Sequence, residues 1–276
     1  MSIFWSIVVL LIAVSVAVGA MLLVRRRAPE GSYFADGDRA SGVFGVLATG
    51  FSIFAGFVIL LAFTTYDQSR TGSEAEALTV VQQFETAQFL PPAVRDRLAG
   101  EIACYGRSVI HDEWPAMREG KAGDTINPWS AQMFRTLKTA QPETAPEQSA
   151  YDKWLDQTSD REEARRDRVH GATGIIPTPL WLVLFLSAGL VFVYMLFFAD
   201  RAERAVSQAM LIGSATTVVV ATLLAITMLD NPYKPGLGAI EPAAMERTLT
   251  LIEQARTVVG SPDSYPCDAR GRAVAA

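Results

Sequence analysis

Ionisable side chains are missing from four long stretches of this chain. Ile3 to Val24, Val43 to Tyr66, Thr178 to Ala199 and Ala205 to Leu229 contain no Asp, Glu, Lys or Arg. A hydrocarbon core about 30 Å thick takes about 20 apolar residues of helix, so each stretch is long enough to cross it. Charged residues make up only 19% of the chain and hydrophobic residues 50%. Proton relays, voltage sensors and ion-coupled carriers place ionisable groups at membrane depth, so uncharged spans argue against a pump or coupled transporter and leave a passive channel open.

Other shortages narrow the chemistry. The 276 residues include only two histidines and two cysteines. There is no GxGxxG, P-loop, HExxH, nucleophile elbow or zinc-spaced cysteine set. His111-Asp112-Glu113 looks chemical, but successive residues of a regular helix point about 100° apart and do not converge on one metal. His170 is the only other histidine. These shortages predict neither an enzyme nor a cofactor. The net charge of −5, with basic and acidic residues intermixed, makes nucleic acid a poor partner. No segment shows the period of a strand, so the expected fold is all-α.

The spans come in two pairs, about 3–24 with 43–66 and 178–199 with 205–229. Lys and Arg in short loops mark the cytoplasmic side. The loop after the first span carries Arg25, Arg26, Arg27 and Arg39, and the loop between the third and fourth carries Arg201 and Arg204. Both loops are therefore expected in the cytoplasm. The first span has no positive residue ahead of it and reads as an uncleaved anchor with its N-terminus outside. Residues 67–177 and the tail 231–276 then also lie outside. Cys104 and Cys267 fall in these two segments, and an even pair in an oxidising compartment predicts a disulfide.

Residues 67–177 read as an extramembrane helical bundle between the two pairs. Leu78, Val81, Phe84 and Gln88 keep helical spacing, so the second span is expected to run on past the bilayer, with Gly72 a weak point. Val94, Leu98, Ile102, Tyr105 and Val109 predict an amphipathic helix stopped at Pro115. Ile126, Trp129, Met133 and Leu137 mark another. Gln141 to Gln148 reads as a linker, and Tyr151, Trp154 and Leu155 open a helix that continues into the run Asp160 to Arg168. That run reads as a solvated face, with Glu162 and Arg166 in the favourable order for a pair.

The second span is the most informative. Ser41, Gly45, Ala48, Ser52, Ala55 and Ala62 form a stripe of small residues, and such stripes let helices approach closely in lipid. Gly45, Ala48, Ser52 and Ala55 are thus candidates for helix packing. Phe51, Phe54, Val58 and Leu61 are expected on the other side, facing lipid or forming an apolar neck that gates by dewetting. Thr64, Thr65, Thr216, Thr217, Thr222 and Thr227 offer hydroxyls, for which bonding back to the helix is the commoner use.

Several elements together carry a resemblance. They are the paired-span layout, the Gly42 to Phe63 helix, Tyr66-Asp67 leading into Glu74-Ala75-Glu76-Ala77, Asp112-Glu113-Trp114-Pro115, and Leu229-Asp230-Asn231-Pro232-Tyr233. On these the chain resembles the bestrophin-like family of bacterial membrane proteins, whose function is undetermined. Through Gly56-Phe57, Phe63, Tyr66, Arg70 and Glu74-Ala75 it is distantly similar to the bestrophins, which are pentameric anion channels lined by their second helix. The resemblance implies a homo-oligomer in the bacterial inner membrane, pentameric if bestrophin-like, passing a small anion through the neck on the second helix. Bestrophins keep their large domain in the cytoplasm, whereas the charge pattern here places it outside. The alternative is a non-conducting envelope protein whose outer domain binds a partner or senses a condition.

Overall fold

The computed structural model describes residues 3–29, 33–121, 126–260 and 264–274. The fold is all-α: α1 (Ile3–Arg27), α2 (Gly37–Ala87), α3 (Pro92–Ser108), α4 (Trp114–Arg118), α5 (Pro128–Leu137), α6 (Ala145–His170), α7 (Thr178–Phe197), α8 (Ala205–Asp230) and α9 (Ala243–Val259). Among the described residues the only β pairing is an isolated bridge between Cys267 and Ala273. Among the described residues four helices, α1, α2, α7 and α8, are long and apolar enough to cross a membrane. The chain divides into two compact units, one of residues 1–64, 174–230 and 235–238 and the other of residues 65–173, 231–234 and 239–276.

The first unit holds the apolar helices. Its core gathers Ala17 and Met21 of α1, Phe51, Ala55 and Val58 of α2, Leu184, Ala188 and Val191 of α7, and Ile212 and Ile226 of α8. Gly213 of α8 faces α1, where a Cβ would make ordinary contact with Val14 at 3.7 Å and Val18 at 3.9 Å. The two arginine-bearing loops meet. Arg25 donates to the carbonyls of Asp200 (3.0 Å) and Arg201 (3.1 Å), and Arg201 donates to the carbonyl of Arg26. The two loops thus share one end of this unit. Above them Phe34 stacks on Tyr194 and Phe44 packs edge-on against Phe198. Asp230 closes α8 by accepting the amides of Ile175 (2.8 Å) and Ile176 (2.7 Å), which fixes the chain entering α7.

The second unit is a helical bundle whose core includes Phe84, Leu98, Ile102, Trp114, Met133, Trp154 and Tyr233. Its helices start where capping chemistry allows. The Asn127 side chain accepts the Trp129 amide, and Thr144 and Glu147 form a reciprocal capping box that opens α6 inside the expected linker. The bond between Cys104 and Cys267 closes 163 residues and joins α3 to the C-terminal segment. That segment is not a plain tail: it contains α9, ended by Gly260 at φ +69°.

Three local expectations are corrected. The chain does not stop being helical at Pro115: Val109–Glu113 forms a π-helical turn, and α4 follows directly with Pro115 in its first turn. The Trp114 amide reaches back five residues to Val109, and Pro115 has no amide to place. Gly72 is no weak point, because α2 is continuous through it. It is instead a close-approach position, where a Cβ would lie 2.7 Å from the Arg168 nitrogen and 2.8 Å from the Ala164 oxygen. Leu78 and Ile126, placed by period among core positions, are exposed, and α5 begins only at Pro128.

Candidate functional site

The charge run on α6 is a solvated face only in part: Asp160, Glu163 and Arg166 are exposed, but the arginine row is not. Arg161, Arg165 and Arg168, spaced by four and three, fall on one side of the helix and are buried. Arg168 is wholly enclosed and pairs through Nε and Nη2 with both oxygens of Glu76, which is also wholly enclosed. Its Nη2 also donates to Glu113 at 2.6 Å, and Arg165 donates to Glu113 at 3.2 Å. Asn127 adds a bond to Glu113 at 2.8 Å. The Tyr105 hydroxyl donates to Glu76, and the Tyr233 hydroxyl donates to the Arg168 carbonyl. The Trp114 ring lies 5.3 Å from the Arg168 guanidinium carbon, and its indole N–H donates to the Ile240 carbonyl. Arg161 reaches Gln83 at 2.7 Å and sits over the Tyr105 ring at 4.8 Å.

The segments that carry the family resemblance therefore converge. Glu76, Glu113 with Trp114, and Tyr233 come from three separated motifs and meet on one arginine. The π-helical turn helps, because one extra residue in the helix changes the direction in which Glu113 and Trp114 leave it. Burial pushes the Glu113 carboxyl up, but Arg168 and Arg165 outweigh it and hold it below its usual range. Burial opposes charge on Arg168, and the two carboxylates reverse that, so it stays protonated. Burial, and next to it Glu76, push the Tyr105 phenol well up. The balance is two carboxylates against Arg165 and Arg168, each acid already paired. Such a cluster holds structure and offers no free acid or base. Among the described residues, no group of three or more His, Cys, Asp and Glu is placed to hold a metal. His111 and Asp112 point to solvent. The signal for the cluster was present in the sequence as arginines at spacings of four and three, but period alone does not say which face is buried.

In the first unit the two faces of α2 are redrawn. Phe51 and Val58 are buried in the unit's core, 7% and 2% exposed, so neither faces lipid or a pore from there. Phe54 is half-buried and Leu61 is exposed. Of the small residues, Ala55 is buried and Ala48 half-buried, whereas Gly45 and Ser52 are exposed. The physical reason is rotation. Phe51, Ala55, Val58 and Ala62 follow one another at four, three and four residues, so bulky and small side chains share the inward face. The opposite face carries Val46, Thr49, Ile53, Phe57 and Leu60 at three, four, four and three. Around it, a Cβ at Gly42, Gly45, Gly50 or Gly56 would meet no heavy atom of the described residues within 4 Å beyond its own stretch of helix. The hydroxyls of Thr64, Thr217, Thr222 and Thr227 bond back to carbonyls three or four residues earlier. The cysteine pairing expected from the sequence is present, with Cα atoms 5.8 Å apart.

Comparison with solved structures gives the same fold. A bacterial bestrophin homolog from Klebsiella pneumoniae, solved as a point variant, superposes with a TM-score of 0.65 at 13% identity, over 92% of this chain and 100% of that one. A second variant of the homolog gives 0.63 at 12% identity, over 90% and 98%. A structure described only as a membrane protein gives 0.63 at 13%, over 96% and 99%. At such identities the likeness is one of fold. No curated protein matches the chain in sequence. The family model for the bestrophin-like domain matches residues 11–245, which is most of the chain, and the chain therefore belongs to the bestrophin-like family.

Proposed function

We propose that the protein is a passive ion channel, selective for a small anion, formed by several copies whose second helices surround an axis. The observation that carries this is the outward face of α2. It is apolar and uncharged, and it is studded with Gly42, Gly45, Gly50 and Gly56, around which the protomer leaves open space. In lipid there is no hydrophobic gain in burying Leu against Leu, so small residues on a helix surface favour close contact with another helix. A second copy supplies that contact, and Ile53, Phe57, Leu60 and Leu61 then line or border an apolar neck. A neck of this kind passes ions when wetted and blocks them when dry. A pentamer is the stoichiometry the family resemblance favours.

We further propose that the helical unit lies outside the cytoplasm of a bacterial inner membrane, with both chain termini on that side. The Cys104–Cys267 bond supports this, since such bonds persist in oxidising compartments. The two arginine-bearing loops, joined at one end of the first unit, then face the cytoplasm. A second reading, a non-conducting envelope protein whose outer domain binds a partner, is supported by a cavity in the helical unit.

Ion flux through liposomes holding the purified protein separates the two. Ile53→Ala, Phe57→Ala and Leu60→Ala widen a neck and should raise flux, whereas at lipid-facing positions truncation changes little. If the wild type and all three variants stay assembled and pass nothing, the channel proposal fails. A stable monomer in mild detergent would count against it as well.

A further inference from the structure

The helical unit contains a cavity of about 570 Å³ between α3, α5 and the C-terminal segment from Pro266 to Val274. That volume lies within the usual range for small-molecule sites, which runs from about 300 to 1,000 Å³. Its walls are mainly apolar, with Ile126, Pro128, Trp129 and Val274 among them. The C-terminal wall is held by the Cys104–Cys267 bond and by the Trp129 indole, which donates to the Gly271 carbonyl at 2.6 Å.

Both signs of charge line the cavity: Glu101, Asp112 and Glu113 against Arg135 and Arg272, with Glu113 already paired to Arg165 and Arg168. Glu101 of α3 lines it and is only 4% exposed. Its Oε1 accepts from Thr136 at 2.7 Å and from Gln132 at 3.2 Å. Its Oε2 is buried and has no hydrogen-bond partner among the described residues. A buried carboxylate oxygen left without a donor is costly, and a structural role here would be met by a neutral glutamine. Arg135 and Arg272 also line the cavity, and both are exposed. Arg272 makes a long contact, 3.9 Å, with Asp112, and its charge also acts on Asp268.

This combination discriminates between ligand classes. No set of three metal-ligating side chains is present among the described residues, which disfavours a metal ion. A simple anion would meet Glu101 and Asp112 as well as the arginines, and a simple cation would meet Arg135 and Arg272 as well as the acids, so a ligand carrying both charges suits the lining better than either ion. We propose that this cavity binds a small zwitterion of the α-amino acid class, its ammonium group donating to Glu101 and its carboxylate meeting Arg272. The apolar walls take the remainder of the molecule. The proposal concerns the helical unit alone and does not depend on whether the spans conduct.

The test uses the full-length protein in detergent. Each of the standard α-amino acids is titrated singly by calorimetry and by thermal unfolding, with methylammonium and acetate as probes of each half. The expected result is saturable binding of at least one amino acid with a Kd below about 1 mM, equivalent to about −4 kcal/mol. Methylammonium and acetate should bind at least tenfold more weakly, and Glu101→Gln should weaken the amino acid at least tenfold. Arg272→Gln, at an exposed position, keeps the test open should Glu101→Gln fail to fold. The proposal is overturned if no amino acid binds the folded wild type. It is equally overturned if methylammonium binds as tightly as the amino acid, or if the folded variants bind as the wild type does.

Discussion

Individual residues in the helical unit matter chiefly through what burial does to their charge. Removing one partner of a buried ion pair leaves the other unpaired in a low-dielectric interior, which costs about 3–5 kcal/mol. Arg168→Met should therefore destabilise by about that amount, because wholly enclosed Glu76 loses both its bonds to that guanidinium. Arg165→Met should cost clearly less, because Glu113 keeps Arg168. Denaturation of the two variants in detergent compares them, and equal losses would break the assignment. Two of the carboxylates with shifted pKa values, Glu113 and Glu101, predict opposite pH trends. Glu113 is held below its ordinary value of 4.5, so its contribution is present above 4.5 and is lost as pH falls through its lower folded value. Glu101 is raised above 4.5 by burial, so its contribution is present below 4.5 and is lost as pH rises through its folded value. Thermal unfolding of Glu101→Gln against wild type should show the variant free of the second loss. A variant curve parallel to wild type above pH 4.5 would contradict it.

Among the elements, α2 and α6 illustrate what periodicity reveals and what it hides. Apolar length marked α2 as a span, and the absence of turn signals carried it onward, as the continuous helix Gly37–Ala87 bears out. Which side of it turns inward was not legible, because small and bulky residues both recur at helical spacing. The partner helices decided it, burying Phe51 and Val58 together with Ala55. On α6 the charges spoke for solvent, but acids on α2 and on the π-helical turn turn one row of arginines inward. Gly72 is the point where these helices nearly touch. Gly72→Ala places a Cβ against backbone atoms of Arg168 and Ala164, which cannot move without shifting α6. A loss of about 1–3 kcal/mol is expected, as for other overpacked sites. Gly45→Ala, with open space around it, should lose no stability and should gain at most about 1 kcal/mol from the better helix former. Similar losses for both would refute contact as the cause, because helix propensity alone favours alanine.

For the whole molecule, two measurements test the proposed sidedness. A periplasm-active reporter fused after residue 120 should give signal, and one fused after residue 204 should give none; the reverse pattern would overturn the proposed orientation. The thiols should resist alkylation until reduced, and Cys267→Ser should expose Cys104. Losing a bond that closes 163 residues is expected to cost the helical unit about 2–5 kcal/mol. Ready alkylation of unreduced protein would refute the pairing in the cell envelope. By itself the sequence determined that the chain has four membrane-length apolar helices, an intervening helical bundle and a helix continuing from the second span. These follow from length, hydropathy and period, which are properties of neighbours along the chain. Only the tertiary structure decided which face of α2 is free, that α9 belongs to the bundle, and that Glu76, Glu113, Trp114 and Tyr233 meet on Arg168. Their partners lie far apart in sequence, up to 92 residues for Glu76 and Arg168, and a burial set by such distant contacts leaves no local period to read.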